Sequence, residues 1–195
     1  MKTVGLYFGS FNPIHIGHTA IGNYFAEFAN LSEVWFVPSP QNPLKEVSKL
    51  VSVDARVAMV RIAVEEAHPA FKVCTEELTL PTPSYTHQTL IHLTKKYPDI
   101  RFKLIMGEDS LNSFHLWRNF EDIPPLADLL VYPRTRKSDD LAQKTFTFPF
   151  QIVKAPVIDV SSSLIRKWIL NHHDIRAFLP KGVYEYIQTN NLYHK

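Results

Sequence analysis

The chain has 195 residues, 45% of them hydrophobic and 21% charged, which is enough for one globular domain, 1–195, and too little for a second full one. A formal net charge of +2 gives no polyelectrolyte drive toward nucleic acid and suits a small anionic ligand better. Cys74, the only cysteine, excludes an internal disulfide and a cysteine-built zinc site and agrees with a reducing, cytoplasmic compartment, while no run reaches the roughly 20 apolar residues of a membrane span and Lys2 opens no signal peptide.

Thr3 to Phe8 alternates as a buried strand, and Gly9 to Pro13 breaks it before a helix over His18 to Asn30, where Ile21, Tyr24, Phe25 and Phe28 recur at helical spacing. Glu33 to Val37 reads as a second strand. Asp54 to Ala67 reads as a helix with Asp54 as N-cap and Val57, Val60, Ile62 and Val64 available for packing. Strands follow at Phe71 to Thr75, Arg101 to Met106 and Leu129 to Tyr132, with a helix over Thr86 to Tyr97 between the first two and a short last strand at Phe150 to Lys154. Helices over Ser162 to Leu170 and Lys181 to Asn190 make a helical C-terminal portion from about 161.

This alternation predicts an α/β fold, a doubly wound, Rossmann-like parallel sheet covered by helices on both faces, because parallel neighbours need right-handed crossovers. Ligands in such sheets bind at the carboxyl ends of the strands. Pro38 to Ser52, with three prolines and two lysines, and the polar stretch Arg134 to Pro149 read as surface loops long enough to fold over a substrate. Tyr184, Tyr186 and Tyr193 fit either core or interface.

The first candidate site is Gly9-Ser10-Phe11-Asn12-Pro13-Ile14-His15-Ile16-Gly17-His18. Gly9 ends the first strand, where a missing side chain would admit a phosphate, and the helix opening near Gly17 turns its unpaired N–H groups toward the same space. His15 and His18, three residues apart, are placed to donate to phosphate oxygens. The segment lacks G-x-G-x-x-G, which argues against dinucleotide-dependent hydride transfer. A histidine-ligated metal would need further ligands that nothing nearby supplies.

That segment resembles the (T/H)xGH signature of the nucleotidyltransferase superfamily, and in its longer form G-x-F-(D/N)-P-I-H-x-G-H it is similar to nicotinate-nucleotide adenylyltransferases, with Asn12 where many bacterial members carry Asp. The resemblance implies that His15 and His18 hold the ATP phosphates and stabilise the charge that builds as pyrophosphate leaves. It assigns Gly9, Ser10 and Phe11 to the ATP site and Asn12 to the acceptor site. Ser161-Ser162-Ser163-Leu164-Ile165-Arg166 opens a helix, with capping serines and a forked guanidinium one turn on. It is similar to the family's I-S-S-T-x-I-R, which implies phosphate binding by Ser161, Ser162, Ser163 and Arg166.

Ser84-Tyr85-Thr86-His87-Gln88-Thr89-Leu90 resembles the family's S-Y-T-x-x-T-L, and Thr86 also reads as an N-cap. Gly107 to Trp117 resembles G-x-D-x-L-x-x-F-x-x-W. By these matches Gly107 and Asp109 belong to the ATP site, Asp109 accepting from the ribose hydroxyls. Tyr85, Thr86, Leu116 and Trp117 belong to the nicotinate-nucleotide site, with the indole stacked on the pyridine ring. Lys45 and Arg134 correspond to a lysine and an arginine of the family's substrate loops, and Lys45 joins His15, His18 and Arg166 in the catalytic set.

The implied reaction joins ATP to nicotinate mononucleotide, giving deamido-NAD and pyrophosphate in NAD biosynthesis, with Mg²⁺ carried mainly by the ATP phosphates and no metal site in the protein. Nicotinamide mononucleotide or another phosphate acceptor would need the same chemistry. A nucleotide-binding module without turnover and a metal-dependent hydrolase are the readings from other classes. No nucleic-acid or membrane partner is expected, and the oligomeric state is open.

Overall fold

The computed structural model describes residues 1–41, 50–134 and 148–194. Six strands form one wholly parallel sheet in the order β3-β2-β1-β4-β5-β6. They are β1 (Lys2–Gly9), β2 (Glu33–Pro38), β3 (Phe71–Val73), β4 (Ile100–Gly107), β5 (Asp128–Tyr132) and β6 (Gln151–Ile152). The chain interleaves them with helices α1 (Ile16–Phe28), α2 (Val53–Ala67), α3 (Thr86–Lys96), the short α4 (Glu108–Asn112), α5 (Ser162–Leu170) and α6 (Lys181–Thr189).

Side chains alternate across the strands, so the central strands feed two cores. Val4 and Leu6 of β1, Phe102, Leu104 and Met106 of β4, and Leu129 and Val131 of β5 pack with Leu90 and Leu93 of α3 on one face. Tyr7, Ile105 and Leu130 point to the other, against Ile21 and Phe25 of α1, Met59 and Val60 of α2, Ile165 of α5 and Val183 of α6. Helices thus cover both faces, as the alternation of elements requires. Tyr184, Tyr186 and Tyr193 pack against the second of these cores.

Several boundaries differ from the pattern read along the chain. Ser52, not Asp54, caps α2, because its hydroxyl accepts the Ala55 N–H and leaves Asp54 in the first turn. Tyr85 holds the cap position of α3 and Thr86 is its first helical residue. Pro38 ends β2 and is buried, so the following loop starts one residue later. The expected strand at 150–154 pairs only at Gln151–Ile152, and β3 stops at Val73. Single 3₁₀ turns at Glu76–Thr79, Phe114–Leu116, Phe120–Asp122 and Arg176–Phe178 carry too few residues to show a period. Most of the two expected surface loops, residues 42–49 with Lys45 and residues 135–147, lies outside the described residues.

One buried cation ties the loops together. Arg56, 1% exposed on the inner face of α2, donates to the carbonyls of Ser10 (2.7 Å), Ser39 (2.7 Å), Pro40 (2.8 Å) and Val51 (3.4 Å). It joins the turn after β1, the segment after β2 and the approach to α2. Replacing it by leucine strands several buried acceptors, each costing about 1–3 kcal/mol. Arg56→Leu is expected to lower the unfolding free energy by about 3 kcal/mol or more, read from the midpoint of urea unfolding.

Candidate active site

β1 sits between β2 and β4, so the chain departs from the sheet in opposite directions on either side of the β1–β4 boundary. A crevice opens at such a switch point, beyond the carboxyl ends of the strands. Here it is a cleft of about 860 Å³ that reaches from Gly9 and His18 to Asp109, Trp117 and Arg166.

The turn after β1 is shaped around two rings. Phe11 adopts a left-handed backbone (φ 45°) and is 2% exposed. A Cβ on Gly9 would lie 2.8 Å from its ring, so Gly9 is glycine to make room for Phe11. The Phe11 ring meets His18 edge-on at 5.1 Å and so supports that imidazole from beneath. Gly17 similarly leaves space for His15, whose ring would stand 3.0 Å from a Cβ there.

His15 occupies the N-cap position of α1 and His18 its first turn, with ring centroids 3.8 Å apart. The His15 backbone N–H donates to His18 Nδ1 at 3.2 Å, which puts the proton of the neutral His18 imidazole on Nε2. The His15 side chain faces the His18 backbone N–H in a capping-box arrangement, which calls for an acceptor at the buried Nδ1 and leaves Nε2 as the N–H. Burial, aided by the charge of Arg134, lowers the His15 pKa to about 4. The ring is therefore a neutral donor at neutral pH.

The serine segment lies against this turn although more than 140 residues separate them in the chain. Ser161 caps α5 by accepting the Leu164 N–H, and Ser162 donates to the carbonyl of Pro13 at 2.9 Å. Arg166 donates through Nη1 to the carbonyl of Asn12 (2.7 Å) and through Nη2 to Ser163 Oγ (3.2 Å). Asn12 is 3% exposed, and its amide oxygen accepts from Val51 N–H and from the Tyr193 hydroxyl. The side-chain oxygen of Asn12 is thus engaged by the protein itself.

Gly107 ends β4 and precedes α4, which carries Asp109 to the rim. Asp109 pairs with Arg134 Nε at 3.3 Å, so Arg134 stands beside the residue expected on the ATP ribose. Tyr85, Thr86, Leu116 and Trp117 line the other part of the cleft, where Leu116 is 61% exposed and Trp117 leans on Phe114 at 5.3 Å. Among the described residues no group of three or more His, Cys, Asp or Glu side chains could hold a metal ion.

Four contributors were not picked out from the sequence. Ser39 and Glu77 lie in the cleft wall, Arg118 stacks over the Tyr85 ring at 4.8 Å, and Tyr193 reaches back to Asn12. Only Arg56 behind the wall carried a signal. It falls on the apolar stripe of α2 with Met59, Val60 and Ala63, where an arginine is out of place unless bonded.

Comparison with known proteins places the chain among relatives of one kind. The cytidylyltransferase-like family matches residues 6–168. The chain is 44% identical to a probable nicotinate-nucleotide adenylyltransferase of Flavobacterium johnsoniae, covering 98% of this chain and 99% of that one. It is 40% identical to a protein of the same description in Bacteroides fragilis, over 96% and 93%. Among solved structures, the nicotinic acid mononucleotide adenylyltransferase of Plasmodium falciparum complexed with NaAD superposes with a TM-score of 0.80 at 21% identity, covering 99% of this chain and 98% of that one.

The neutral, buried His15 has a thermodynamic consequence. Its pKa is about 6.5 when unfolded and about 4 when folded, so the unfolded chain binds the extra proton between these values. Stability is fully retained above about pH 6.5 and falls as the pH drops toward 4, by on the order of 3 kcal/mol from this group. His15→Gln is expected to flatten that part of the stability profile relative to the wild type, as measured by denaturant unfolding at a series of pH values.

Proposed function

Because the chain belongs to the cytidylyltransferase-like family and, at 44% identity over the full length of a relative, to the nicotinate-nucleotide adenylyltransferases, we propose that the residues gathered in its cleft join ATP to nicotinate mononucleotide. The protein is an adenylyl-transferring enzyme of NAD biosynthesis. The observation that carries the residue assignment is the meeting of His15 and His18 with the N-terminus of α5 and Arg166 around one cleft.

In the proposed reaction a 5′-phosphate oxygen of the mononucleotide attacks the α-phosphorus of ATP in line. The new O–P bond forms as the bond from the α-phosphorus to the bridging oxygen breaks, and pyrophosphate leaves with that electron pair. The attacking phosphate is already deprotonated, so no general base is required and catalysis rests on alignment and charge stabilisation. His15 and His18 offer Nε2–H donors to the phosphate chain. The backbone N–H groups at the start of α1 lie alongside, and the helix dipole favours an anion there.

Gly9, Ser10 and Phe11 shape the phosphate turn, and Ser161, Ser162, Ser163 and Arg166 close it from the other side. Gly107 and Asp109 take the ATP ribose, whose hydroxyls would compete with Arg134 for the carboxylate. Tyr85, Thr86, Leu116, Trp117 and Arg134 are assigned to the mononucleotide, with Asn12 fixing the turn beneath it and the flat indole offering a stacking face. Lys45 is assigned to the phosphates by family resemblance alone. Mg²⁺ enters with ATP as part of the substrate. We place the reaction in the cytoplasm, in one domain spanning 1–195; no described helix is long and apolar enough to cross a membrane.

Pure protein with ATP, Mg²⁺ and nicotinate mononucleotide is expected to release pyrophosphate and deamido-NAD in equal amounts, and to do so with a higher kcat/KM than with nicotinamide mononucleotide. A reversed preference would reassign the acceptor. His18→Ala is expected to lower kcat by on the order of a hundredfold or more while thermal unfolding stays cooperative, the scale of losing one preorganised donor. Turnover within a fewfold of wild type would remove His18 from the mechanism.

A further inference from the structure

The wall of the cleft beside Tyr85 and Thr86 contains a buried carboxylate that the proposed chemistry does not use. Glu77, in the 3₁₀ turn after β3, is 2% exposed. It accepts hydrogen bonds from Ser84 Oγ at 2.6 Å and Thr89 Oγ1 at 3.1 Å, and the Ser39 side chain bonds it as well. It has no ion-pair partner among the described residues. Burial accordingly pushes its pKa up, against the lowering effect of the three hydroxyls.

The donors lie on three different segments. Ser39 follows β2, Ser84 precedes α3, and Thr89 lies in the first turn of α3, where it also donates its backbone N–H to the carbonyl of Tyr85. Ser84 and Thr89 flank Tyr85 and Thr86, so the carboxylate grips the segment on both sides of these two residues, which line the cleft together with Ser84. Tyr85 in turn supports the Arg118 guanidinium at 4.8 Å. Ser39 is held independently, its N–H donating to Gly9 and its carbonyl accepting from Arg56. Glu77 therefore anchors the segment before α3 to Ser39 and, through it, to the ends of β1 and β2.

We propose that Glu77 is a positioning residue for the nucleotide acceptor: by gathering Ser39, Ser84 and Thr89 it sets where Tyr85, Thr86 and Arg118 meet the mononucleotide, without touching the reacting phosphates. This rests on the assignment of that part of the cleft to nicotinate mononucleotide. Two of the hydroxyl residues in the S-Y-T-x-x-T-L motif then serve the clasp, leaving Tyr85 and Thr86 to face the ligand. A carboxylate suits the task because it is acceptor-only and takes several hydroxyl donors at once.

The test is a split between the two substrates. Glu77→Leu removes every acceptor, and is expected to raise KM for nicotinate mononucleotide about tenfold or more while KM for ATP stays within about twofold, the scale of losing buried hydrogen bonds at one subsite only. Glu77→Gln keeps an acceptor oxygen and is expected to restore much of the loss. Amide exchange over residues 84–88 should quicken in Glu77→Leu while that of residues 9–18 does not change. If Glu77→Leu does not fold, the pair Ser84→Ala and Thr89→Val, which removes the donors instead, must show the same split. Equal changes in both KM values, or none, with unchanged exchange at 84–88, would overturn the proposal. Failure of the wild type to use nicotinate mononucleotide is a different result, which overturns the acceptor assignment; the exchange contrast still decides whether Glu77 holds the loop.

Discussion

The guanidinium of Arg56 joins three loops that are otherwise tied to one another by single hydrogen bonds, Ser39 N–H to the Gly9 carbonyl and Val51 N–H to Asn12 Oδ1. A parallel sheet fixes its strands but leaves the segments beyond their carboxyl ends without ladder partners. Those segments must form the site. Arg56 resolves this by offering a planar fork of donors to carbonyls after β1, after β2 and before α2. A buried cation is costly unless its hydrogen bonds are made, so the four carbonyls and the arginine each require the others. The bonding geometry is thereby specified more sharply than apolar packing would specify it.

From this joint the site extends in two directions. Toward the phosphates, Ser10 leads into the turn that carries Phe11, Asn12 and the histidines. Asn12 is then held from three sides by Val51, Tyr193 and Arg166. Toward the acceptor, Ser39 leads to Glu77 and so to the segment before α3. The two halves of the cleft share one anchored residue pair, Ser10 and Ser39, bonded to the same Nη1 of Arg56. A displacement of α2 would be felt in both.

The electrostatics follow the same economy. The histidine pair is packed so that each proton belongs on Nε2, and His15 is held neutral by burial and by Arg134. Donors that are oriented before the ligand arrives need no reorganisation as charge develops on the phosphates. Positive charge is supplied by arginines at the rim, where water screens them, and partial positive charge by the backbone dipoles at the helix starts.

Much of this was legible in the sequence. Alternating strand and helix periods determined the doubly wound sheet, because a strand must show its apolar residues at period two and a helix at 3.6. The G-x-F-N-P-I-H-x-G-H and S-S-S-x-I-R segments could be recognised because backbone turns and phosphate contacts demand particular residues at fixed offsets. What the sequence could not show is which distant residues close on those segments. Tyr193 reaching Asn12, Ser162 reaching Pro13 and the three hydroxyls reaching Glu77 are unions between elements with no common period. The reason Gly9 is glycine was likewise hidden, since the constraint is a ring two residues on that folds back over it. Local chemistry is written along the chain; the partners that orient it are chosen only when the sheet brings its carboxyl ends together.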